Sequence, residues 1–105
     1  MGKGVQVTHL VDLIGYQDGS IVSRIVVKAA TGNVTLFAFD VGQELSEHTT
    51  AHDALAHVLD GEAEVTIAGK PYALRPGDVI ILPVHQPHAV RAVSRFKMLL
   101  TMIRS

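Results

Sequence analysis

Apolar and polar residues alternate along most of this chain in short runs with a period of two, the side-chain period of a strand. The clearest case is Ala63, Val65 and Ile67 on one face against Glu62, Glu64 and Thr66 on the other. Val34–Asp40 alternates too, but Val34, Leu36 and Ala38 on one face oppose Thr35, Phe37 and Phe39 on the other. Both faces are apolar, so that strand should be covered on both sides. Ile21–Lys28 is rich in β-branched residues, which suit a pleated, half-buried surface. Further strands are expected at Leu45–His48, Asp53–Leu59, Pro71–Leu74, Val79–Leu82, His88–Ala92 and Phe96–Ile103. Val79–Leu82 is wholly apolar and reads as buried; Pro83 ends it, because proline cannot donate to a ladder.

Turn chemistry separates these runs. Gln17-Asp18-Gly19-Ser20, Thr31-Gly32-Asn33 and Gly69-Lys70 each interrupt the alternation. Asp60-Gly61 predicts a hairpin, since a type I′ turn needs positive φ at both central residues. Arg75-Pro76-Gly77-Asp78 predicts a type II turn, with proline second and glycine third. The first stretch is mixed: Val5, Val7 and His9 alternate as in a strand, while Leu10, Leu13 and Ile14 suit one helical turn with Thr8 before it. A short strand is expected there. The total is about nine or ten short strands with turns about every 8–12 residues, the pattern of an all-β sandwich or barrel.

Composition narrows the picture. A chain of 105 residues, 48% hydrophobic, is one domain, 1–105, with one core. The net charge is −1 and the basic residues are scattered, which argues against nucleic acid as a partner. No apolar run approaches the ~20 residues of a membrane span, and no secretory signal is visible, so no membrane partner and a cytoplasmic location are expected. Cysteine is absent, so any metal would have to be held by imidazole, carboxylate or carbonyl oxygen. Five of the six histidines fall in one stretch: His48, His52, His57, His85 and His88.

The spacing around them resembles the cupin superfamily. Its first motif, G-x5-H-x-H-x3,4-E-x6-G, is matched by Gly42, His48 and Gly61, in residues 42–61. Its second, G-x5-P-x-G-x2-H-x3-N, is matched by Gly77, Pro83 and His88, in residues 77–92. The chain departs from the pattern at four places. Thr50 stands at the second motif histidine, Ala54 at the carboxylate, His85 at the usual glycine and Ala92 at the asparagine. The chain also looks like the small single-domain, RmlC-like conserved-barrel cupins. That resemblance implies a double-stranded β-helix, or jelly-roll barrel, usually a homodimer, with one pocket at the open end. It also implies a divalent transition metal (Fe, Mn, Zn, Ni or Cu) held by three imidazoles and a carboxylate, with a small organic molecule as the bound partner.

The residues present allow a reduced version of that site. His48 and His88 are the motif pair. His52 would share a face with 48 and 50 in an extended segment, and is the candidate third ligand. Thr50, Ala54, Ala56, Val58 and Val90, with Val79 or Ile80, should line the pocket; the small side chains at 54 and 56 widen it. Alternation turns His57 away from the pocket toward Leu55 and Leu59, unless a bulge reverses it. His85 belongs to the loop between two prolines, at the mouth. Two functions remain open: a metal-dependent enzyme of the dioxygenase or isomerase kind, or a non-catalytic ligand-binding or sensor barrel with a degenerate metal site. Apolar residues on both faces of several strands point to a homodimer.

Overall fold

In a computed structural model of the chain, which describes residues 5–104, nine strands follow a single 3-10 turn at Leu10–Leu13. They are β1 (Ile21–Ala29), β2 (Gly32–Phe39), β3 (Glu44–His48), β4 (Asp53–Asp60), β5 (Ala63–Ile67), β6 (Lys70–Leu74), β7 (Val79–Leu82), β8 (His88–Ala92) and β9 (Phe96–Ile103). All pairings are antiparallel. One sheet has the order β1-β2-β9-β4-β7 and the other β3-β8-β5-β6. Their facing sides share one core, so the fold is a two-sheet jelly-roll barrel. No helix of the described residues is long and apolar enough to cross a membrane.

The alternation in the sequence becomes the inside and outside of this barrel. From the large sheet come Phe39, Ala54, Ala56, Val58, Phe96 and Met98; from the small sheet Ala63, Val65, Val90 and Ala92. Phe39 and Phe96 are cross-strand partners, and their rings stack with centroids 4.4 Å apart. The outer face of the large sheet carries a second core. There Ile14, with Leu10, Leu13 and Tyr16, packs on Leu36, Ala38, Leu59, Leu99 and Val22. β2 is thus covered on both sides, as its two apolar faces predict.

Several elements differ from the expectation. Residues 5–9 form no strand. A strand needs a ladder partner, and none lies beside Val5 or Val7, which are fully exposed. The helical alternative prevails from Leu10, where the Asp12 N–H donates to the His9 carbonyl at 3.0 Å and Leu10 and Leu13 reach the second core. Asp60-Gly61 is a corner between sheets and makes no hairpin. β4 already has β7 on one edge and β9 on the other, so β5 cannot pair with it and enters the small sheet. Gly61 (φ +74) is needed there, because a Cβ would lie 1.8 Å from the Arg95 carbonyl oxygen. The tight hairpin falls instead at Ala68-Gly69, both at positive φ, between β5 and β6. The type II turn at Arg75–Asp78 forms as expected, with Gly77 at φ +94 and the Asp78 N–H donating to the Arg75 carbonyl at 2.9 Å. β7 is buried on one face only: Leu82 is in the core and Ile80 packs against it, while Val79 and Ile81 point outward and are exposed.

Candidate functional site

The motif histidines meet across the ladder between β3 and β8. His48 and His88 are direct partners, with ring centroids 4.4 Å apart in an edge-to-face arrangement. Their meeting depends on an irregularity. Leu45 pairs with Val90 and His48 with His88, so Ser46 and Glu47 together oppose Ala89. That is a β-bulge, two residues against one. In an unbroken ladder Glu47 would stand opposite His88 and share its inward face. The extra residue restores the parity, and His48 takes that place.

The same irregular segments fix the two rings. His48 Nδ1 lies 2.8 Å from the Ser46 carbonyl oxygen, and His88 Nδ1 lies 3.2 Å from the Gln86 carbonyl oxygen. A carbonyl can only accept, so each Nδ1 carries the proton. Each neutral ring therefore keeps its lone pair on Nε2. The Gln86 carbonyl comes from the loop between Pro83 and Pro87, and the Ser46 carbonyl from the bulge. His88 is 3% exposed, while His48 is exposed. Burial pushes the His88 pKa down, the neighbouring His48 adds to that, and the Gln86 carbonyl partly opposes it. His88 is therefore neutral at neutral pH, the form that offers a lone pair.

Around the pair the barrel wall is apolar. Ile67 is the other cross-strand partner of His88. Ile67, Leu45, Ile80, Leu100 and Met102 pack on the core but stay partly exposed, which marks this end as the open one. Ala54, Ala56 and Val90 point inward and are buried; Val58, expected to line the pocket, is buried deeper, paired with Met98 toward Phe96. Of the two alternatives at the start of β7, Ile80 faces in and Val79 faces out. Ile67 and Leu45 were not among the expected lining residues. The inward parity of 63, 65 and 67 was the signal for Ile67; Leu45 needed the register with Val90.

The remaining candidates scatter. Thr50 donates its hydroxyl to the His52 carbonyl at 2.7 Å, so it locks its own loop. Among the described residues no three His, Cys, Asp or Glu side chains gather in a way that could hold a metal ion. His52 is therefore not assembled with His48 and His88 in this arrangement. His57 pairs with Val79 and Leu99 on the outer face of the large sheet, where alternation places it. His85 adopts φ +64, the left-handed region favouring glycine, and its N–H donates to the Thr50 carbonyl at 2.9 Å. Arg91 faces outward between Glu44 and Glu64, and Arg24 donates to the Leu13 carbonyl at 2.9 Å.

Comparison with known proteins agrees with this geometry. The family model described as the cupin domain matches residues 35–104. The chain belongs to the cupin family. Among solved cupin-like structures, a conserved protein of unknown function from Streptococcus pyogenes superposes with a TM-score of 0.92 at 32% identity, over 98% of this chain and 90% of that one. A cupin superfamily protein from Desulfitobacterium hafniense DCB-2 also gives 0.92, at 29% identity, over 98% and 94%. Among curated proteins, an L-ectoine synthase from Thermobifida fusca (strain YX) is 37% identical over 60 residues, 55% of this cupin. That match spans 45% of the synthase, so this chain covers less than half of its relative's length.

Proposed function

We propose that this cupin holds a divalent transition metal through Nε2 of His48 and His88, and binds a small, largely apolar organic molecule beside it at the open end of the barrel. The observation that carries the reading is the cross-strand imidazole pair, with both Nδ1 atoms engaged by backbone carbonyls. Two rings oriented this way suit Fe, Mn, Zn, Ni or Cu, all of which accept imidazole. The backbone carbonyls of Ser46 and Gln86 do for these rings what outer hydrogen-bond partners commonly do for metal-binding histidines: they fix tautomer and orientation.

The donor set is small. Ala54 supplies no carboxylate and Thr50 is engaged with its own loop, so bound metal would keep open positions and its full divalent charge. When bound, such an ion supplies Lewis-acid polarisation of a substrate oxygen. The chain's own residues do the rest. Leu45, Ile67, Ile80, Leu100 and Met102 exclude water and contact the apolar part of the ligand. Ala54 and Ala56 leave room. His88, neutral and buried, can accept a proton when no metal engages it. The match to a protein named L-ectoine synthase supports a small-molecule enzyme. The two-ligand donor set favours a second reading, a ligand-binding barrel without catalysis.

Calorimetric titration of untagged protein with Zn2+, Mn2+, Ni2+, Fe2+ and Cu2+ separates the outcomes. One ion per chain is expected for at least one of these metals, lost in His48→Ala and in His88→Ala while the circular dichroism spectrum is unchanged. If no ion binds the wild-type protein, the metal reading is wrong. If an ion binds equally well to both variants, the assignment to this pair is wrong.

A further inference from the structure

The inner face of the small sheet continues past the imidazole pair. His48 on β3 pairs with His88 on β8, His88 with Ile67 on β5, and Ile67 with Lys70 on β6. Directly opposed residues of a ladder point to the same face. These four side chains therefore form one row across the sheet at the open end. The row behind it runs Leu45, Val90, Val65 and Tyr72. Leu74 secures the parity of β6: it lies in the core, 7% exposed, so 70 and 72 face inward with it. The Lys70 Nζ lies 5.5 Å from the centre of the Tyr72 ring, on that same face. Two ladder steps, about 10 Å between Cα atoms, separate Lys70 from His88.

The large sheet has a matching row. Lys28 on β1 pairs with Asn33 on β2, Asn33 with Met102 on β9, and Met102 with Ala54 on β4. The Thr35 hydroxyl donates to Asn33 Oδ1 at 3.0 Å, which leaves Asn33 Nδ2 as a donor. Charge is sorted by face. Glu44, Glu47 and Glu64 line a shallow hollow on the outer side of the small sheet. Among the described residues no Asp or Glu takes an inward position in either sheet. The loops at the open end, 30–31, 49–52, 68–69 and 83–87, contain none either. Lys70 makes no ion pair among the described residues. The mouth of the barrel thus carries positive charge with nothing of the chain's own to balance it.

We infer, resting on the open end as the ligand site, that the small molecule taken up there is a carboxylate, with Lys70 as its counter-charge and Ile67 and Leu45 against its apolar body. A cationic ligand would meet no acid, and a neutral one would leave the ammonium without a partner. A cleft lined by one sign of charge concentrates the opposite ion. Phosphate is the rival anion, since lysine binds it too. Phosphate sites commonly add a run of backbone N–H groups at a helix N-terminus. Among the described residues the one helical element, Leu10–Leu13, packs on the outer face of the large sheet, away from this end. A single negative charge is the better match, and no bound metal is required for it.

NMR titration of 15N-labelled, untagged protein in the presence of a chelator tests the inference, with benzoate, its neutral isostere benzamide and phenyl phosphate as probes. Benzoate should shift the amide signals of Ile67, His88 and Lys70 and bind about fivefold tighter than benzamide at low salt. High salt should shrink that preference, because Lys70 is exposed. Lys70→Gln should bring the two probes to nearly equal affinity, and Lys70→Arg should keep the preference. Arg91→Gln, on the outer face of the same sheet, should leave it unchanged. Equal binding of benzoate and benzamide to the wild-type protein overturns the inference while leaving the open end as the ligand site. A preference that survives Lys70→Gln overturns the role of Lys70, and tighter binding of phenyl phosphate than of benzoate overturns the carboxylate. If none of the three shifts these signals at millimolar concentration, the inference falls together with the ligand site it rests on.

Discussion

The two ends of this barrel are built on opposite principles. At the closed end, Phe39 and Phe96 stack with no exposure at all, and Val58, Ala63 and Ala92 fill the space around them. Outside that plug a polar clamp ties the N-terminal segment down. Arg95 donates from Nε to Asp40 at 2.8 Å and also pairs with Asp18; the Tyr16 hydroxyl donates to Asp60. Lys97 lies 5.1 Å over the Tyr16 ring and donates to the Val11 carbonyl. At the open end Leu45, Ile67, Ile80, Leu100 and Met102 are half-exposed, the strands end in loops and a bulge, and one loop residue carries left-handed backbone. One end is close-packed and clamped by ion pairs; at the other, packing gives way to the exposed imidazole of His48. The same scaffold separates what holds it together from what it can bind.

That separation can be broken by substitution. The largest effect belongs to the closed end. Phe96→Ala should destabilise the protein by about 3–5 kcal/mol in urea unfolding, from lost burial and the cavity left behind. Metal affinity of the folded fraction should not change, because Phe96 sits at the far end of the core from His48 and His88. A parallel loss of metal affinity would show that the ends are coupled.

A smaller effect, of opposite sign, belongs to the open end. His85 stands at φ +64, where glycine would be unstrained. His85→Gly keeps the N–H that bonds to the Thr50 carbonyl, so relief of strain should raise stability by about 1 kcal/mol. A drop in thermal midpoint would mean that the imidazole makes a contact worth more than its backbone costs. The smallest effect is read in acid. The Gly19 N–H, the Arg95 guanidinium and the Val41 N–H lower the Asp40 pKa to about 2. A depressed carboxylate contributes stability that is complete above its ordinary value near 3.8 and is lost as pH falls toward about 2. Asp40→Asn should lower the thermal midpoint above pH 5 and flatten its fall over that window, so that the difference from wild type shrinks as pH approaches about 2. An unchanged acid profile would remove Asp40 from the clamp's role.

Much of this was legible in the chain. Alternation, β-branched and apolar runs, and the turn signals between them together located every strand from Ile21 onward, and the double apolar face of Val34–Asp40 announced its burial on both sides. Motif spacing picked out His48 and His88, which the structure brings into contact. What escaped has physical causes. The outward turn of Val79 and Ile81 is invisible in an all-apolar run, because no alternation says which face is covered. Asp60-Gly61 has the chemistry of a hairpin and of a corner alike; only the occupied edges of β4 decide between them. Val5–His9 alternates like a strand but has no partner, and pairing is not a local property. Extending the strand through 48, 50 and 52 placed His52 with the pair, but Thr50 turns its hydroxyl to the His52 carbonyl and the segment leaves the ladder after His48.

The bulge at Ser46-Glu47 has a consequence for how such a site can change. β3 lies at the edge of its sheet and is bonded only to β8. Sliding it by one residue would close the bulge and turn Glu47, rather than His48, toward His88. The nitrogen pair would become a nitrogen–oxygen pair with no residue substituted. Adjacent positions of one short strand thus carry an imidazole and a carboxylate, and the register of a single ladder sets which of them faces His88.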